Sequence, residues 1–332
     1  MSDARPNRQQ ILELANGFRP ACVIGAAAEL DAWTVLADRP LSAEEFAARL
    51  DCDLRATAML LDAVAALGLL DKHDGRYSVP SELRDWLVED GADTVLPMLR
   101  HATNTMRGWS QLAWTVKGGI PMPRPSSIRG PRADIESFIA AMHAVSGPVA
   151  DEVVRRLGPL KFKHVLDVGG ASGTWTLALL RAAPGATAVI FDLPEAIAQA
   201  GRRLAGSEFA DRVSLVSGDF YADELPGGAD FAWVSAICHQ HSRQENRELF
   251  AKVFRALGRG GRIAVRDVVM DPCRTSPPQG ALFAINMLVN TESGGTFTFD
   301  EFAADLRAAG FENPRLALKH EAMNSLVTAQ RP

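Results

Sequence analysis

The spacing of apolar residues separates the chain into a helical first part and a later part in which apolar strands alternate with helices. In the alanine-rich residues 21–36, and again in residues 54–67, apolar positions recur every three or four residues, as on one helix face. We therefore predict an amphipathic helix over the first segment and a buried helix over the second. Ser42 followed by Glu45 is a capping box, which predicts a short helix ending at Leu50.

A short hairpin follows these predicted helices. Residues 69–72 and 76–79 are strand-like and flank the turn HDG, so they predict a two-stranded wing. Helices followed by a wing form a winged-helix pattern, which often binds DNA. The would-be recognition helix, residues 54–67, carries one arginine, one acid and mostly apolar side chains, so it lacks the charge to neutralise a phosphate backbone.

In the later part of the chain, apolar runs of strand length alternate with helical segments, which predicts an α/β domain with a doubly wound parallel sheet. The expected strands begin at Val165, Ala188, Val213, Phe231 and Ile263. Between the two parts, residues 95–155 are predicted to form connecting helices around a proline-rich loop at 121–131. The tail, residues 325–330, is strand-like.

Composition changes this picture in two ways. The chain has 332 residues, of which 47% are hydrophobic, so it can bury a sizeable core and is long enough for more than one domain. We predict a winged-helix-like domain over residues 1–100, connecting helices over 101–157 and a ligand-binding domain over 158–332. The net charge of −5 disfavours nucleic acid as a partner.

The cysteines and the N-terminus bear on the cellular compartment. Cys22, Cys52, Cys238 and Cys273 show no paired metal spacing, so we expect free thiols in a reducing compartment. The N-terminal sequence is polar without an apolar signal core, and no apolar run reaches about 18 residues. We therefore expect a cytoplasmic protein with no membrane span.

The segment VLDVGGASGTW gives the first chemical signal. An apolar run ends in Asp167, and Gly169, Gly170 and Gly173 follow before a helix-compatible segment. A strand, a glycine turn and a helix start in this order allow backbone N–H groups to meet a ligand. Because Val168 occupies the place of the first glycine, the spacing is not the G-x-G-x-x-G fingerprint of dinucleotide binding.

Two further acids end the next apolar runs. Asp192 follows residues 188–191, where a carboxylate can hold the hydroxyls of a ribose, and Asp219 follows the run 213–216. Three acids at the carboxyl ends of successive strands suit a ligand with hydroxyls, an amino group and an adenine, and they suit a polyphosphate poorly. The pattern therefore predicts S-adenosylmethionine (SAM) as the cofactor.

Five motifs together resemble one family. They are VLDVGG, FDLP at 191–194, GDF at 218–220, AICH at 236–239 and GRGGRIAV at 258–265. From about residue 10 to residue 328 the chain resembles the small-molecule O-methyltransferases of the caffeate and hydroxyindole type, which plants and antibiotic-producing bacteria share. The resemblance implies a Rossmann-like class I methyltransferase sheet, an N-terminal winged-helix dimerisation domain, a homodimer and SAM. It also extends the expected SAM site to Leu193, Phe220 and Ser235.

The resemblance places the catalytic histidine in the ICH motif, at His239. This position follows the fourth strand run, where the ligand-binding loops of such sheets gather, and an imidazole titrates near neutral pH and can accept a phenolic proton. Asp267 matches the position of a glutamate that orients the histidine in plant members, because a carboxylate on the other ring N–H would fix the tautomer. The alternatives are a structural histidine and a solvated acid.

Some positions depart from the plant pattern. Gln240 and His241 replace an acid and a tryptophan, Ser235 replaces a lysine, and residues 294–298 lack the second catalytic glutamate. These changes weaken the transfer of the plant base mechanism to this chain, and His241 either shares the pocket or is exposed. We expect no metal, because two histidines at i and i+2 without further ligands do not match zinc spacings.

The resemblance also gives an acceptor pocket, although core packing would explain any one of its members. Its residues are Trp109, Phe138, Met142, His143, Met287 and Asn290. As a set they predict an apolar cavity that admits an aromatic molecule and offers few polar anchors. Arg266 and Arg274, near Asp267, either meet an acidic substrate or, as we expect, are solvated surface arginines.

The sequence thus predicts a homodimeric, SAM-dependent O-methyltransferase that acts on a hydroxyl of a small aromatic or polyketide-like molecule. The alternative is a SAM-binding protein of the same fold that methylates carbon or nitrogen, or that acts as a hydroxylase or decarboxylase without methyl transfer. A DNA-binding regulator is disfavoured by the charge.

Overall fold

The computed structural model describes residues 5–332, which form two compact units. The first unit contains the described residues up to Arg107 together with Pro125–Ala144, and the second contains Gly108–Arg124 and Val145–Pro332. The domain limits expected at residues 100 and 157 stay a prediction. Within the described residues, no helix is both long enough and apolar enough to cross a membrane.

The first part of the chain forms the helices α1 Arg8–Asn16, α2 Phe18–Glu29, α3 Ala32–Leu36, α4 Ala43–Leu50, α5 Leu54–Ala66, α6 Arg84–Leu87, α7 Leu96–Trp109, α8 Leu112–Gly118 and α9 Pro131–Arg156. Its strands are β1 Leu41–Ser42, β2 Asp71–His73 and β3 Arg76–Ser78.

The capping box and the wing are confirmed in the first unit. The Ser42 side chain accepts a hydrogen bond from the Glu45 N–H, and the Glu45 carboxylate accepts one from the Ser42 N–H, so α4 starts where the sequence predicts. Strands β2 and β3 form the antiparallel wing, and β1 adds a third strand on the other side of β3. Trp33, Phe46 and Tyr77 are fully buried in the core that these elements enclose.

Two helices of this unit differ from expectation. The segment 21–36 is not one helix, because Asp31 adopts a left-handed conformation with φ 55 between α2 and α3. Helix α5 is buried on one face only: Leu61 and Val64 are inaccessible, whereas Met59 is 58% exposed. Within a single chain, the prediction of a buried helix at residues 54–67 is therefore confirmed for one face.

The second unit is built around a seven-stranded sheet. Its strands are β4 His164–Val168, β5 Thr187–Asp192, β6 Val213–Ser217, β7 Ala229–Ser235, β8 Leu257–Asp267, β11 Glu312–Leu318 and β12 Ser325–Gln330, in the order β11-β12-β8-β7-β4-β5-β6. The accompanying helices are α10 Thr174–Ala182, α11 Pro194–Leu204, α12 Arg243–Ala256, α13 Pro278–Asn290 and α14 Phe299–Ala308. Two short strands, β9 Val269–Met270 and β10 Phe297–Thr298, pair separately.

The sheet is mixed rather than wholly parallel. Strands β4 to β8 are parallel, as the alternation predicts, whereas β12 runs antiparallel to both β8 and β11. The chain order reverses beside β4, which lies between β5 and β7. This is the topological switch point at which open α/β sheets bind ligands, beyond the carboxyl ends of the strands.

Alternation along each strand divides the core into two layers. Leu166 and Val168 pack with residues of α12 and α14 on one face, whereas Val165 packs with residues of α9 and α10 on the other. On β8, Arg266 and Asp267 are consecutive, so their side chains point to opposite faces. This division decides which of the two can approach His239.

Candidate active site

The turn between β4 and α10 is held by backbone hydrogen bonds. The Gly169 N–H donates to the Phe191 carbonyl at 2.8 Å, and the Gly173 N–H donates to the Gly170 carbonyl at 2.9 Å. Gly169 and Gly173 have φ +67 and +76, which favour glycine. A Cβ at Gly170 would lie 2.8 Å from Ile190, so the absence of a side chain there serves the packing beneath the turn.

Asp167 lies under this turn and is fully buried. Its Oδ2 accepts a hydrogen bond from the Thr176 hydroxyl at 2.5 Å, while Oδ1 has no partner within residues 5–332. Burial, aided by the nearby Asp192 charge, raises the pKa of Asp167 to about 7. The side chain therefore joins the end of β4 to the first turn of α10, and its direct contact with a cofactor stays a prediction.

Asp192 ends β5 beside the same turn and is half-buried. Its Oδ2 accepts from the Ala171 N–H and its Oδ1 from the Leu193 N–H, both at 2.7 Å. Burial raises the pKa of this carboxyl group. Each oxygen keeps a second lone pair, so the carboxylate can still accept the hydroxyls of a ribose. The Leu193 side chain next to it is 51% exposed and offers an apolar surface.

The segment after β6 forms a small aromatic cluster with His241. Asp219 Oδ1 accepts from the Tyr221 N–H at 2.9 Å, and the Phe220 ring meets the His241 ring edge-on at 5.4 Å. His241 Nδ1 lies 2.6 Å from the Tyr221 hydroxyl, and burial lowers the pKa of this imidazole. His241 is only 4% exposed, so the alternative of an exposed side chain is wrong.

His239 and Asp267 come together as the sequence predicts. His239 lies in a short 3-10 helix after β7, and its Nδ1 is 2.9 Å from Asp267 Oδ1 at the end of β8. Asp267 Oδ2 also accepts from the His239 N–H at 3.1 Å, and Oδ1 from the Val268 N–H at 2.7 Å. Both side chains are buried, and the Phe283 ring stands edge-on to the imidazole at 4.8 Å. The carboxylate favours a proton on Nδ1, which leaves Nε2 as the basic nitrogen.

Arg266 is not the solvated arginine that the sequence suggested. It is 5% exposed, and its guanidinium lies 4.2 Å from the centre of the Trp175 ring. Its Nη1 donates to Ser235 Oγ at 3.1 Å and its Nε to Asn324 at 2.8 Å, while burial lowers its pKa to about 10. Ser235, predicted to contact the cofactor, is therefore buried against this arginine. Arg274 is half-exposed and pairs with Glu301.

The predicted acceptor residues of the second unit lie around α13. Trp109 Nε1 donates to Asn286 Oδ1 at 2.9 Å, and Asn290 Nδ2 donates to the Asn286 carbonyl at 2.7 Å. Asn290 Oδ1 accepts from Arg124, whereas Met287 is buried. The other three predicted acceptor residues, Phe138, Met142 and His143, belong to the first unit, where Phe138 packs on His101 with ring centres 5.0 Å apart. Their approach to an acceptor stays a prediction.

Sequence reasoning missed three side chains at this site: Phe283, Asn286 and Tyr221. Phe283, Asn286 and Asn290 follow an i, i+3, i+7 spacing, which places them on one face of α13, and this signal was readable from the sequence. Tyr221 carries no such signal, because its partner His241 is on a different loop.

The residues beyond the carboxyl ends of β4, β5 and β6 fit an adenosine-bearing cofactor. Asp192 is a half-buried carboxylate with free lone pairs, exposed Leu193 lies beside it, and Asp219 and Phe220 follow the next strand. Within the described residues no cluster of three or more histidine, cysteine or acidic side chains could hold a metal ion.

Segments in both units of the chain match known protein families. Residues 109–312 match the O-methyltransferase domain, and residues 12–89 match the O-methyltransferase dimerisation domain. The chain is 31% identical to a 3-hydroxy-5-methyl-1-naphthoate 3-O-methyltransferase of Streptomyces sahachiroi, over 92% of this chain and 90% of the relative. It is 32% identical to the tetracenomycin polyketide synthesis 8-O-methyl transferase TcmO of Streptomyces glaucescens, over 92% and 91% of the two chains.

Solved structures agree with the sequence relatives. The structure of PigF with S-adenosylhomocysteine (SAH) superposes with a TM-score of 0.86 at 27% identity, over 98% of this chain and 100% of that one. Human N-acetylserotonin methyltransferase in complex with SAM gives a TM-score of 0.82 at 25% identity, over 100% and 99% of the chains. The chain therefore belongs to the O-methyltransferase family and is a SAM-dependent O-methyltransferase of class I fold with an N-terminal dimerisation domain.

Proposed function

We propose that this enzyme methylates a hydroxyl group of a small aromatic or polyketide-like molecule and that His239 is its general base. The observation that supports the base most directly is the hydrogen bond of 2.9 Å between His239 Nδ1 and the buried carboxylate of Asp267. The relatives named for a naphthoate and for a polyketide product support an aromatic acceptor.

The proposed base works through the free ring nitrogen. Asp267 holds the Nδ1 proton, so Nε2 carries a lone pair and takes the proton of the acceptor hydroxyl as its oxygen becomes nucleophilic. The carboxylate then stabilises the imidazolium, because it already accepts the Nδ1–H bond. SAM supplies the methyl group as a sulfonium, so the O–CH3 bond forms while the S–CH3 bond breaks and SAH leaves.

The other proposed roles concern binding. Asp192 would accept the ribose hydroxyls, with Leu193, Asp219 and Phe220 around the adenine, while the turn at residues 169–173 would face the rest of the cofactor. Phe283 and Met287 would supply apolar surface to the acceptor, together with Trp109. Much of the rate acceleration then comes from holding the acceptor oxygen close to the methyl group and from excluding water, since methyl transfer from a sulfonium needs alignment above all.

A second candidate is methylation of nitrogen. One relative, 27% identical over 91% of this chain, is the N,N-dimethyltransferase OxyT of Streptomyces rimosus. The buried His239–Asp267 pair favours oxygen, because a neutral amine is nucleophilic without losing a proton beforehand, whereas a phenol gains much from a base.

Methyl transfer to a defined panel tests the proposal. The enzyme is incubated with methyl-labelled SAM and either 2-naphthol or 2-naphthylamine, and the products are identified by mass. We expect an O-methyl product from the naphthol at a rate well above that of the amine. Preference for the amine, or labelled product with the hydroxyl still free, would contradict O-methylation by this site.

A further inference from the structure

Arg266 is a buried cation whose hydrogen-bond partners are neutral. Its side chain is 5% exposed, and its guanidinium lies 4.2 Å from the centre of the Trp175 ring. Nη1 donates to Ser235 Oγ at 3.1 Å, and Nε donates to Asn324 Oδ1 at 2.8 Å. These bonds go to a hydroxyl and an amide, so neither of them pairs the positive charge with an acid.

The acid next to Arg266 in the chain does not supply the missing negative charge. Asp267 points to the opposite face of the sheet, and its two oxygens accept hydrogen bonds from His239 and from the Val268 N–H. Burial lowers the pKa of Arg266 to about 10 in spite of the attraction of Asp267. A buried charge without a partner is costly, and an anion bound beside the guanidinium would offset that cost.

The groups around the guanidinium keep unused hydrogen-bond donors. Arg266 Nη2 has no acceptor within residues 5–332. Ser235 Oγ accepts from Arg266, so the hydrogen of its own hydroxyl is free to donate. A guanidinium only donates, so the Asn324 atom that faces Nε must be the amide oxygen, which leaves the Asn324 nitrogen as a donor. Three donors around a positive charge suit a carboxylate.

These donors lie at the edge of the sheet where the cofactor is proposed to bind. Ser235 is the last residue of β7 and is paired with Arg266 in the ladder between β7 and β8. Trp175 lies in the first turn of α10, directly after the glycine turn. The hydrogen bond from Arg266 to Ser235 therefore brings the positive charge to the carboxyl end of β7.

The dimensions of SAM fit this position. The proposed ribose ligand, Asp192, ends β5, and two strand spacings of about 4.8 Å each separate β5 from β7 across β4. An extended methionine tail covers most of this distance and passes over the glycine turn at the end of β4. Its carboxylate then comes within reach of the Arg266 guanidinium.

We propose that Arg266 binds the carboxylate of the methionine part of SAM, with Ser235 and Asn324 as further donors. Trp175 holds the guanidinium by stacking on it, and the bound carboxylate supplies the negative charge that the surrounding side chains lack. The enzyme thereby selects a cofactor that carries this carboxylate. This role rests on the proposed function, since it assumes that the ribose of SAM lies at Asp192.

A matched pair of ligands tests the role of Arg266. SAH carries the same carboxylate as SAM, and S-adenosyl-3-thiopropylamine is SAH without its carboxylate. The dissociation constant of each compound is measured by calorimetry in the absence of any acceptor, so the readout does not depend on turnover. We expect the wild-type enzyme to bind SAH roughly 10- to 150-fold more tightly than the thiopropylamine compound.

Substitutions at and beside Arg266 separate carboxylate binding from a structural role. Arg266→Gln removes the charge but keeps a donor, so it should lose most of the preference for SAH and bind the thiopropylamine compound within about threefold of wild type. Ser235→Ala leaves the arginine in place and should reduce the preference by about 2- to 10-fold, which gives a second test if Arg266→Gln does not fold. Arg259→Gln, at an exposed position near the start of β8, is the matched control and should keep both wild-type affinities.

Equal binding of the two compounds by the wild-type enzyme would overturn the proposal, and so would an unchanged preference for SAH in Arg266→Gln or in Ser235→Ala. If Arg266→Gln weakens both compounds equally, the arginine supports the fold and does not bind the carboxylate. The placement of the ribose is decided separately, because Asp192→Ala should weaken both compounds to the same extent. If Asp192→Ala leaves both affinities unchanged, the ribose assignment fails, while the preference measured in Arg266→Gln still reports whether Arg266 binds the carboxylate.

Discussion

Replacing Asp267 by asparagine isolates the part of the site that orients the base. The carboxylate accepts three hydrogen bonds: from His239 Nδ1 at 2.9 Å, from the His239 N–H at 3.1 Å and from the Val268 N–H at 2.7 Å. All three partners donate, so the new amide nitrogen faces a donor in either orientation. The negative charge that stabilises the imidazolium is also lost. A hydrogen bond to a charged group contributes about 1.5–3 kcal/mol, which predicts a fall in kcat of roughly 10- to 150-fold.

The assay is steady-state methyl transfer from labelled SAM to saturating 2-naphthol at pH 7, which gives kcat. Asp300→Asn, at an exposed acid in the first turn of α14, is the control and should leave kcat unchanged. A dinitrophenol, already ionised at this pH, needs no base, so Asp267→Asn should slow its methylation far less. An equal loss with both acceptors would mean that Asp267 supports the fold and does not orient the base.

Three further substitutions test the residues beside and beneath the glycine turn. Asp192→Ala should weaken SAM binding roughly 10- to 150-fold by calorimetry, and unchanged affinity in a folded variant would reject the ribose assignment. Burial raises the pKa of Asp167 from 3.8 to about 7. Between these pH values the folded protein holds a proton that the unfolded chain releases, so the free energy of unfolding falls as pH rises. In scanning calorimetry, Asp167→Asn should therefore have a higher melting temperature than the wild type at pH 8 and lose this difference at pH 4. A difference in melting temperature that does not change with pH would contradict the raised pKa of Asp167. Gly170→Ala places a Cβ 2.8 Å from Ile190, so denaturant titration should show a loss of about 1–3 kcal/mol, and full stability would mean that the turn yields at no cost.

Much of the fold could be predicted because its signals are local, whereas the His239–Asp267 pair was predicted from the resemblance to the O-methyltransferase family. Ser42 and Glu45 form a capping box within four residues, and each acid of the cofactor side ends an apolar run. The pairing of His239 with Asp267, 28 residues apart, follows once β7 and β8 are parallel neighbours whose carboxyl ends meet.

The remaining features depend on contacts that no local pattern records. Arg266 is followed by an acid at the end of its strand, which fits a surface arginine, but in the fold it packs on Trp175 of helix α10, 91 positions earlier in the sequence. The hydrogen bond between Trp109 and Asn286 joins residues 177 positions apart. The direction of β12 could likewise not be predicted, because a strand-like run has the same composition whether it pairs parallel or antiparallel.

The turnover of His239→Ala with 2-naphthol as a function of pH tests most sharply whether His239 is the general base. We expect a fall in kcat of about 10²–10⁴ at pH 7, a SAM affinity within a few fold of wild type, and partial recovery as pH rises and the naphthol ionises in solution. His164→Ala, at the exposed start of β4, is the matched control and should behave as wild type. Near wild-type turnover of His239→Ala at pH 7 on the un-ionised naphthol would show that alignment alone suffices and that His239 is not the general base.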